Sequence, residues 1–392
     1  MQIEFFAAIS DNCSVKPFFA ALFIFLSGFY AAAQARFPRL PPERPFWFIL
    51  EEGKKAFREG EYGVALDLFE EARAERRTRY TRMETIFINL LSIGEVRKFN
   101  DSLESVEKYI EERNQFDAAA AMQELYYRVG RDALKNSSKI ALGMFGRLKE
   151  YPEAEYWIGE VYRLEGEWTI ALKQYRSALA HLVDEELPAK RIELYYKIAG
   201  VHSSTQNWGQ MEESLNEILK TEKLWNGTEN FARQAMARTL GSEGINRFLQ
   251  MYRYENNDTE KAHRLLGEFC YKSGRYPLAE NHLAFAVMEQ NTVLISEAIR
   301  KRYNFSFTSL EELMNEISRR KDLKEYMNEV EYFRTLYYLG AALHANGKTA
   351  QAKGIWQFLA SSKETDEWGR RAQTQLRAPF VEPAMGVKTA NR

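Results

Sequence analysis

Residues 156–179 read YWIGEVYRLEGEWTIALKQYRSAL, and this stretch decides the fold. Apolar residues recur at helical spacing on both sides of Gly166, which predicts two helices joined by a tight turn. A glycine accepts the left-handed backbone that ends many helices, where another residue would clash at its Cβ. Gly159 and Ala171 are small, which predicts that the helices approach closely there, and Tyr175 supplies bulk for the neighbouring space.

The same spaced set occurs four times, with offsets of seven, five, four and three residues between its members. The sets are Gly53, Gly60, Ala65, Phe69, Ala72; Gly159, Gly166, Ala171, Tyr175, Ala178; Gly267, Gly274, Ala279, Leu283, Ala286; and Gly340, Gly347, Ala352, Trp356, Leu359. A degenerate fifth set has Ala199 in place of the first glycine and Gln206 in the turn. A fixed internal period of this kind indicates a repeat array.

The pattern resembles the tetratricopeptide repeat (TPR), whose unit of about 34 residues carries small residues at its eighth, twentieth and twenty-seventh positions. The resemblance covers residues 46–377 and implies an all-α, right-handed superhelix of about eight or nine helix pairs, each packing only on its neighbours. Weaker pairs are predicted between the strong ones, and residues 366–376 are expected to form a capping helix. The weaker pairs are at residues 84–113, 118–149, 228–254 and 291–319.

The N-terminal residues have the pattern of an export signal. An apolar run at residues 17–30 is followed by Ala33-Gln34-Ala35, the small-x-small pattern of a signal-peptidase site. We therefore expect residues 1–35 to direct export to the periplasm or cell envelope. The alternative is that this segment stays uncleaved and anchors the chain in a membrane.

Two further segments flank the predicted repeats. Four prolines between residues 36 and 45 remove backbone donors and fix φ, which predicts an extended spacer over residues 36–45. Residues 378–392 have no apolar periodicity, which predicts a flexible tail.

Charge, cysteines and motifs argue against catalysis. The net charge of −1 gives no support for a nucleic-acid partner, and there is no Walker loop, dinucleotide-binding glycine motif, nucleophile elbow or zinc-protease motif. His263 shares a predicted helix face only with Cys270, whereas a metal site usually needs three or four ligands. We expect no enzymatic activity, no metal and no cofactor, and we expect Cys270 to be a small buried side chain.

The resemblance implies a partner-binding groove. In TPR superhelices the first helix of each pair lines the concave face, where partner peptides or proteins bind. The matching candidates are Trp47, Lys54, Tyr156, Arg163, Tyr196, Arg264, Tyr271, Tyr337 and His344. Exposed aromatic residues in this set would anchor an apolar peptide or helix. The alternative for any one of them is packing between neighbouring repeats.

One cluster of arginines is denser than the rest of the chain. It consists of Arg73, Arg76, Arg77, Arg79 and Arg82. Such a patch could bind an acidic partner or lipid headgroups. The alternative is that these cations lie near a helix C-terminus, where the helix dipole favours positive charge.

Three functions are compatible with these features. The first is a non-catalytic scaffold of the bacterial cell envelope that binds partner proteins or peptides in the groove. The second is a membrane-anchored structural component of an envelope or motility complex. The third is a small-ligand-binding accessory protein for transport, with a pocket between groove aromatics.

Overall fold

The computed structural model of the chain describes residues 44–92, runs of one to three residues between 108 and 127, and residues 138–382 with short gaps. The gaps are 183–187, 221, 227–230, 257, 302, 304 and 363–364. In these residues the regular secondary structure is helical, with no β-strand, so the predicted all-α class is confirmed. The predicted export signal, most of the proline spacer and residues 383–392 lie outside the described residues. No helix in the described part has the length and apolar character to cross a membrane.

The helices belong to two compact units, Met1–Glu150 and Tyr151–Arg392. Unit 1 contains α1 (Phe46–Arg58), α2 (Tyr62–Ser92) and α3 (Ser138–Leu148). Unit 2 contains α4 (Pro152–Leu164), α5 (Trp168–His181), α6 (Pro188–Ser204), α7 (Trp208–Leu219), α8 (Lys223–Asn226), α9 (Phe231–Met251), α10 (Glu260–Lys272), α11 (Tyr276–Lys301), α12 (Leu310–Ile317), α13 (Lys321–Glu329), α14 (Tyr332–Ala345), α15 (Thr349–Ser361) and α16 (Asp366–Arg377).

The repeated sequence set produces closely packed helix hairpins: α1 with α2 in unit 1, and α4 with α5, α6 with α7, α10 with α11 and α14 with α15 in unit 2. In α4, a Cβ on Gly159 would lie 2.7 Å from the ring of Tyr175, and in α14 a Cβ on Gly340 would lie 2.8 Å from Trp356 Nε1. The first glycine of each set is therefore small because the bulky residue of the second helix packs directly against its backbone.

The turns between paired helices have one backbone pattern. Gly166 has φ of 82°, and the next residue, Glu167, donates its N–H to the carbonyl of Tyr162 at 2.8 Å. This is the hydrogen bond of a left-handed helix cap, as the sequence predicts. Gln206 takes the same conformation in the degenerate repeat, with φ of 57°. The turn geometry is thus retained where the glycine is not.

The weaker helix pairs form only in part, and the pair predicted at residues 118–149 lies partly outside the described residues. Residues 291–301 continue α11, which is 26 residues long, and only the short α12 follows. Residues 84–92 continue α2, which is 31 residues long. Between residues 228 and 254 the predicted pair is present, because α9 consists of two helices that meet at a kink at Gly244, which has φ of 83°. The two long helices run through predicted boundaries because the sequence there has no glycine or proline to end them.

Helix α16 packs on the last hairpin through one side. Its Ala372 is fully buried, and its Trp368 ring lies 5.5 Å from that of Tyr337. Arg370 on the opposite side is exposed. The described part of the predicted tail, residues 378–382, follows α16, and its Glu382 contacts α10, α14 and α16.

Candidate functional site

Hydrogen bonds join the first helices of successive hairpins in unit 2, and they define one surface. We call it the first-helix face. Its members are Tyr156, Glu160 and Arg163 of α4, Glu193, Tyr196 and Lys197 of α6, Arg264, Glu268, Tyr271 and Lys272 of α10, and Arg334, Tyr337 and Tyr338 of α14. Bonds cross from α4 to α6, from α6 to α10, and from α10 to α14. The sequence-based grouping of these helices on one face is therefore consistent with the structure.

Glu160 is the centre of the first part of this face. It is 4% exposed and accepts hydrogen bonds from Arg163 at 3.0 Å, from Lys197 at 2.8 Å and from the Tyr175 hydroxyl. Burial acts to raise the pKa of Glu160, but these three donors together hold it below its ordinary value. Arg163 and Lys197 are thus engaged by the protein's own carboxylate, and about a third of each side chain is left exposed.

Tyr196 connects the middle hairpins. Its hydroxyl donates to the carbonyl of Asp258 at 2.7 Å and accepts from the backbone N–H of Ala262 at 3.0 Å, while the Lys261 ammonium lies 5.2 Å from its ring. The residue therefore fixes the start of α10 against α6. A partner-binding role for Tyr196 stays a prediction.

Charged residues link α10 to α14. Arg264 donates to Glu331 at 2.6 Å, and Arg334 donates to Glu268 at 2.6 Å. Burial raises the pKa of Glu268, although Arg334 and Lys272 oppose this shift. The face therefore alternates cations and carboxylates along its length.

Most of the tyrosines of the face lie beneath a cation. Tyr156, Tyr271 and Tyr337 are 6%, 2% and 1% exposed. Lys190 lies 5.0 Å above the Tyr156 ring, and Arg371 lies 4.7 Å above the Tyr337 ring. The expectation that these aromatics are exposed anchors is wrong, because their rings pack between hairpins and a cation lies over each of these two. The exposed groups of the face are therefore the cations, and the aromatic rings lie buried beneath them.

The segment after α16 lies on the first-helix face. Ala378 is extended, with φ of −149°, and Glu382 accepts hydrogen bonds from the Tyr337 hydroxyl at 2.8 Å and from Arg371 at 2.6 Å. The backbone N–H of Glu382 donates to the hydroxyl of Tyr271 at 3.1 Å. Burial raises the pKa of Tyr337 to about 12, so its hydroxyl stays protonated and able to donate at neutral pH.

The remaining groove candidates, His344, Trp47 and Lys54, differ in their contacts and in their exposure. His344 Nδ1 is 3.0 Å from the Thr349 hydroxyl, at the turn of the last hairpin. In unit 1, Trp47 is 55% exposed, and the Lys54 ammonium pairs with Glu51 at 2.7 Å. Trp47 is the one candidate aromatic in this set whose side chain is mostly open to solvent.

The arginines of the cluster contact other residues of unit 1. Arg73 pairs with Glu70 at 2.5 Å, and Arg77 pairs with Glu150 at 2.8 Å. Arg76 is buried, donates to the carbonyl of Leu148 at 2.8 Å, and lies 5.5 Å from the Phe46 ring. Two further members, Arg79 over the same ring and Arg82, also have partners. The cluster therefore holds the helices of unit 1 together, and anion binding by it stays a prediction.

A buried cluster of ionisable side chains lies elsewhere in unit 2. The Nδ1 atoms of His263 and His282 are 2.9 Å apart, and His263 Nε2 is 2.7 Å from a carboxylate oxygen of Glu222. Ligand atoms of Glu222, His263 and Glu289 all lie within 4.8 Å of one another. The expectation that His263 has only Cys270 as a companion is wrong, because its partners come from other parts of the chain. Cys270 itself is buried and free, as predicted.

One cavity of about 260 Å³ opens between α13, α14 and α16. Glu331, Arg334 and Trp368 are among its lining residues. Its lining combines charged side chains with aromatic and apolar ones, whereas a small-ligand function predicts a closed apolar pocket.

Comparisons with known proteins give relatives without assigned functions. No family model matches the chain. An uncharacterized protein of Treponema pallidum (strain Nichols) is 23% identical over 355 residues, which is 90% of this chain and 95% of that protein. An uncharacterized protein of Borreliella burgdorferi (strain B31) is 21% identical over 233 residues, or 54% of this chain and 69% of that protein. The crystal structure of the P58(IPK) TPR domain aligns over 85% of this chain and 97% of that one, at 15% identity and a TM-score of 0.18.

Proposed function

We propose that the protein is a non-catalytic scaffold that binds an extended, acidic segment of a partner protein on the first-helix face of unit 2. The observation that carries this proposal is the position of residues 378–382. This segment of the chain itself lies on the face, and it is held by a backbone hydrogen bond to Tyr271 and by the Glu382 carboxylate between Tyr337 and Arg371. A partner segment with the same chemistry can make the same contacts.

The exposed charge of the face favours an acidic partner, because Glu160 and Glu268 are buried whereas the cations paired with them are partly exposed. Lys197, Lys272 and Arg371 are each about 30% exposed and lie over tyrosine rings, where their position is fixed by packing. A carboxylate that meets a fixed, partly desolvated cation forms a stronger hydrogen bond than one that meets a mobile surface cation. The aromatic rings contribute by holding the cations in place.

A peptide titration tests the proposal. The probe is a fluorescent peptide with the sequence of residues 378–386, APFVEPAMG, whose one charged side chain is Glu382. The protein is the full chain carrying Glu382→Lys, in which the ion pair between its own C-terminal segment and Arg371 is lost. We expect saturable binding. Adding Arg371→Ala should weaken it by ~10-fold or more, since one charge-assisted hydrogen bond is lost. Lys353→Ala, on the exposed side of α15, is the matched control and should bind like its parent. Binding that does not saturate, or that is unaffected by Arg371→Ala, would refute the proposal.

We further propose that the scaffold acts in the cell envelope. The support is the apolar run at residues 17–30 and the Ala33-Gln34-Ala35 motif. Cell fractionation followed by N-terminal sequencing tests both the location and the anchored alternative. A soluble envelope protein that begins at Arg36 is expected. Retention in a membrane fraction after alkaline extraction would support the anchored structural component instead, and recovery from the cytoplasm would refute export.

A small-ligand function has one specific feature in its favour, the cavity beside Arg334 and Trp368. Native mass spectrometry of the protein purified from its own cells tests it. A co-purifying small molecule that is lost in Trp368→Ala would establish this function, and the mass of the bare chain would reject it.

A further inference from the structure

Four ionisable side chains meet in the core of unit 2 from three parts of the chain. Glu222 lies just before α8, His263 is on α10, and His282 and Glu289 are on α11. They are between 0% and 3% exposed. His282 and Glu289 are seven residues apart on one helix, so they project from the same side of it.

The hydrogen-bond pattern leaves a ligand atom available. The two Nδ1 atoms are 2.9 Å apart, so one ring must donate its Nδ1–H to the other. If His263 is the donor, its Nε2 carries a lone pair, and this atom faces the carboxylates of Glu222 and Glu289. A metal-binding histidine typically donates its other ring N–H to a neighbouring acceptor, which fixes the tautomer and the ring orientation.

The two carboxylates have few partners. In the part of the chain that the structure describes, Glu222 Oε1 is buried without a hydrogen-bond partner, and no lysine or arginine forms an ion pair with Glu222 or Glu289. Among the described residues, the one side chain that donates a hydrogen bond to Glu289 is that of Thr259, whose hydroxyl is 3.3 Å from the carboxylate. Buried carboxylates are normally paired, bound to a metal or protonated.

We propose that Glu222, His263 and Glu289 bind one divalent transition-metal ion, with Zn²⁺ as the best match, and that His282 is a positioning residue for His263. One imidazole nitrogen with two carboxylate oxygens is a donor set for Zn²⁺ and similar ions, whereas Mg²⁺ and Ca²⁺ prefer all-oxygen sites. A divalent cation also balances the two negative charges, so the bound site is neutral in an apolar surrounding.

The surroundings suit a buried metal site. The Trp225 ring stacks on His282 at 4.3 Å and meets His263 edge-on at 4.7 Å, so both imidazoles are held in place. Because Glu222 precedes a short helix and the other ligands lie on a hairpin, the ion would tie α8 to the hairpin of α10 and α11. Metal binding would therefore stabilise the folded unit.

Metal titration of the full, untagged chain tests the proposal. The protein is stripped with a chelator, exchanged into clean buffer, and titrated with Zn²⁺ in competition with a chromophoric chelator. We expect one ion per chain and a higher melting temperature with Zn²⁺. Glu222→Gln and Glu289→Gln preserve shape and should each bind ~100-fold more weakly, because a charged ligand is lost. His202→Gln, at a buried histidine outside the cluster, is the control and should bind like the parent.

Cobalt substitution tests the role of His282. In the Co²⁺ form, His282→Gln should change the visible absorption of the ion and weaken binding by ~10-fold, since it perturbs the ligand that touches the metal. An unchanged spectrum would limit His282 to packing. No binding at equimolar Zn²⁺, or equal affinity in the parent, Glu222→Gln and Glu289→Gln, would overturn the site and leave a metal-free network of protonated acids. These results do not depend on peptide binding at the first-helix face.

Discussion

Replacing Gly159 with alanine tests the packing of the helix hairpins. The new Cβ would lie 2.7 Å from Cε1 and 2.8 Å from Cδ1 of the Tyr175 ring, and ordinary contacts begin at 3.4 Å. The helices or the ring must therefore separate by about 0.7 Å to reach ordinary van der Waals contact. Tyr175 is fully buried and its hydroxyl donates to Glu160, so a shift of the ring also weakens that bond.

Two opposing effects determine how much Gly159→Ala changes the free energy of unfolding. Overpacking a tight core costs ~1–3 kcal/mol, whereas alanine stabilises a helix interior by ~1 kcal/mol relative to glycine. Gly354→Ala separates them, because Gly354 lies in α15 with no atom within 4 Å of its Cβ position. That control keeps the helix-propensity gain without the clash. The free energy of unfolding of Gly159→Ala should therefore be ~1–3 kcal/mol lower than that of Gly354→Ala.

Urea unfolding followed by circular dichroism measures the difference in the free energy of unfolding. In thermal unfolding, the two variants should differ in Tm by ~2–10 °C in a unit of this size. If Gly159→Ala is as stable as Gly354→Ala, the glycine is not required by close packing. The explanation of the repeated set would then be refuted.

Three further predictions concern the turns, a buried acid and the C-terminal segment. Both Gly166 and Gln206 have left-handed backbone, which glycine adopts without strain. In urea unfolding, Gly166→Ala should therefore lower the free energy of unfolding by ~1–2 kcal/mol, and Gln206→Gly should raise it by up to ~1 kcal/mol. Equal effects of the two substitutions would contradict this. Burial raises the pKa of Glu260 from 4.5 to about 7, so the folded chain retains a proton that the unfolded chain releases. This proton should therefore make stability fall as the pH rises from 4.5 to 7, by at most ~1.4 kcal/mol per pH unit. Glu260→Gln should make the slope measured by urea unfolding at several pH values shallower by that contribution. Arg371→Glu and Glu382→Lys should each increase deuterium exchange in residues 378–382, and the double variant should restore part of the protection, since the 2.6 Å pair is reversed; additive effects would exclude a direct pair.

The hairpins could be predicted because their information is local. The spacing of Gly53 and Phe69, or of Gly340 and Trp356, places the small and the bulky residue opposite each other when two helices pack side by side. The turn at Gly166 follows from the conformational freedom of a single residue. Helix lengths were less predictable, because α11 continues where the repeat pattern suggests a new pair.

The sites depend on contacts between distant residues, which spacing within one helix does not reveal. His263 meets Glu222 across 41 residues and His282 across 19. His263 and His282 lie on the two helices of one hairpin, 19 residues apart. A search for pairs of histidines at that separation in the predicted hairpins would have found them. Likewise, the position of Tyr337 on the first helix was predictable, but its burial under Arg371 was not.

The central claim is that partners bind the first-helix face of unit 2. Site-specific photo-crosslinking in living cells tests it most directly, with the crosslinking amino acid placed at Lys272 on the face or at Lys353 on the exposed side of α15. The account predicts a discrete crosslinked protein from position 272, at a contact that includes an acidic stretch of the partner, and none from position 353. Equal crosslinking from both positions, or crosslinking from position 353 alone, would contradict it.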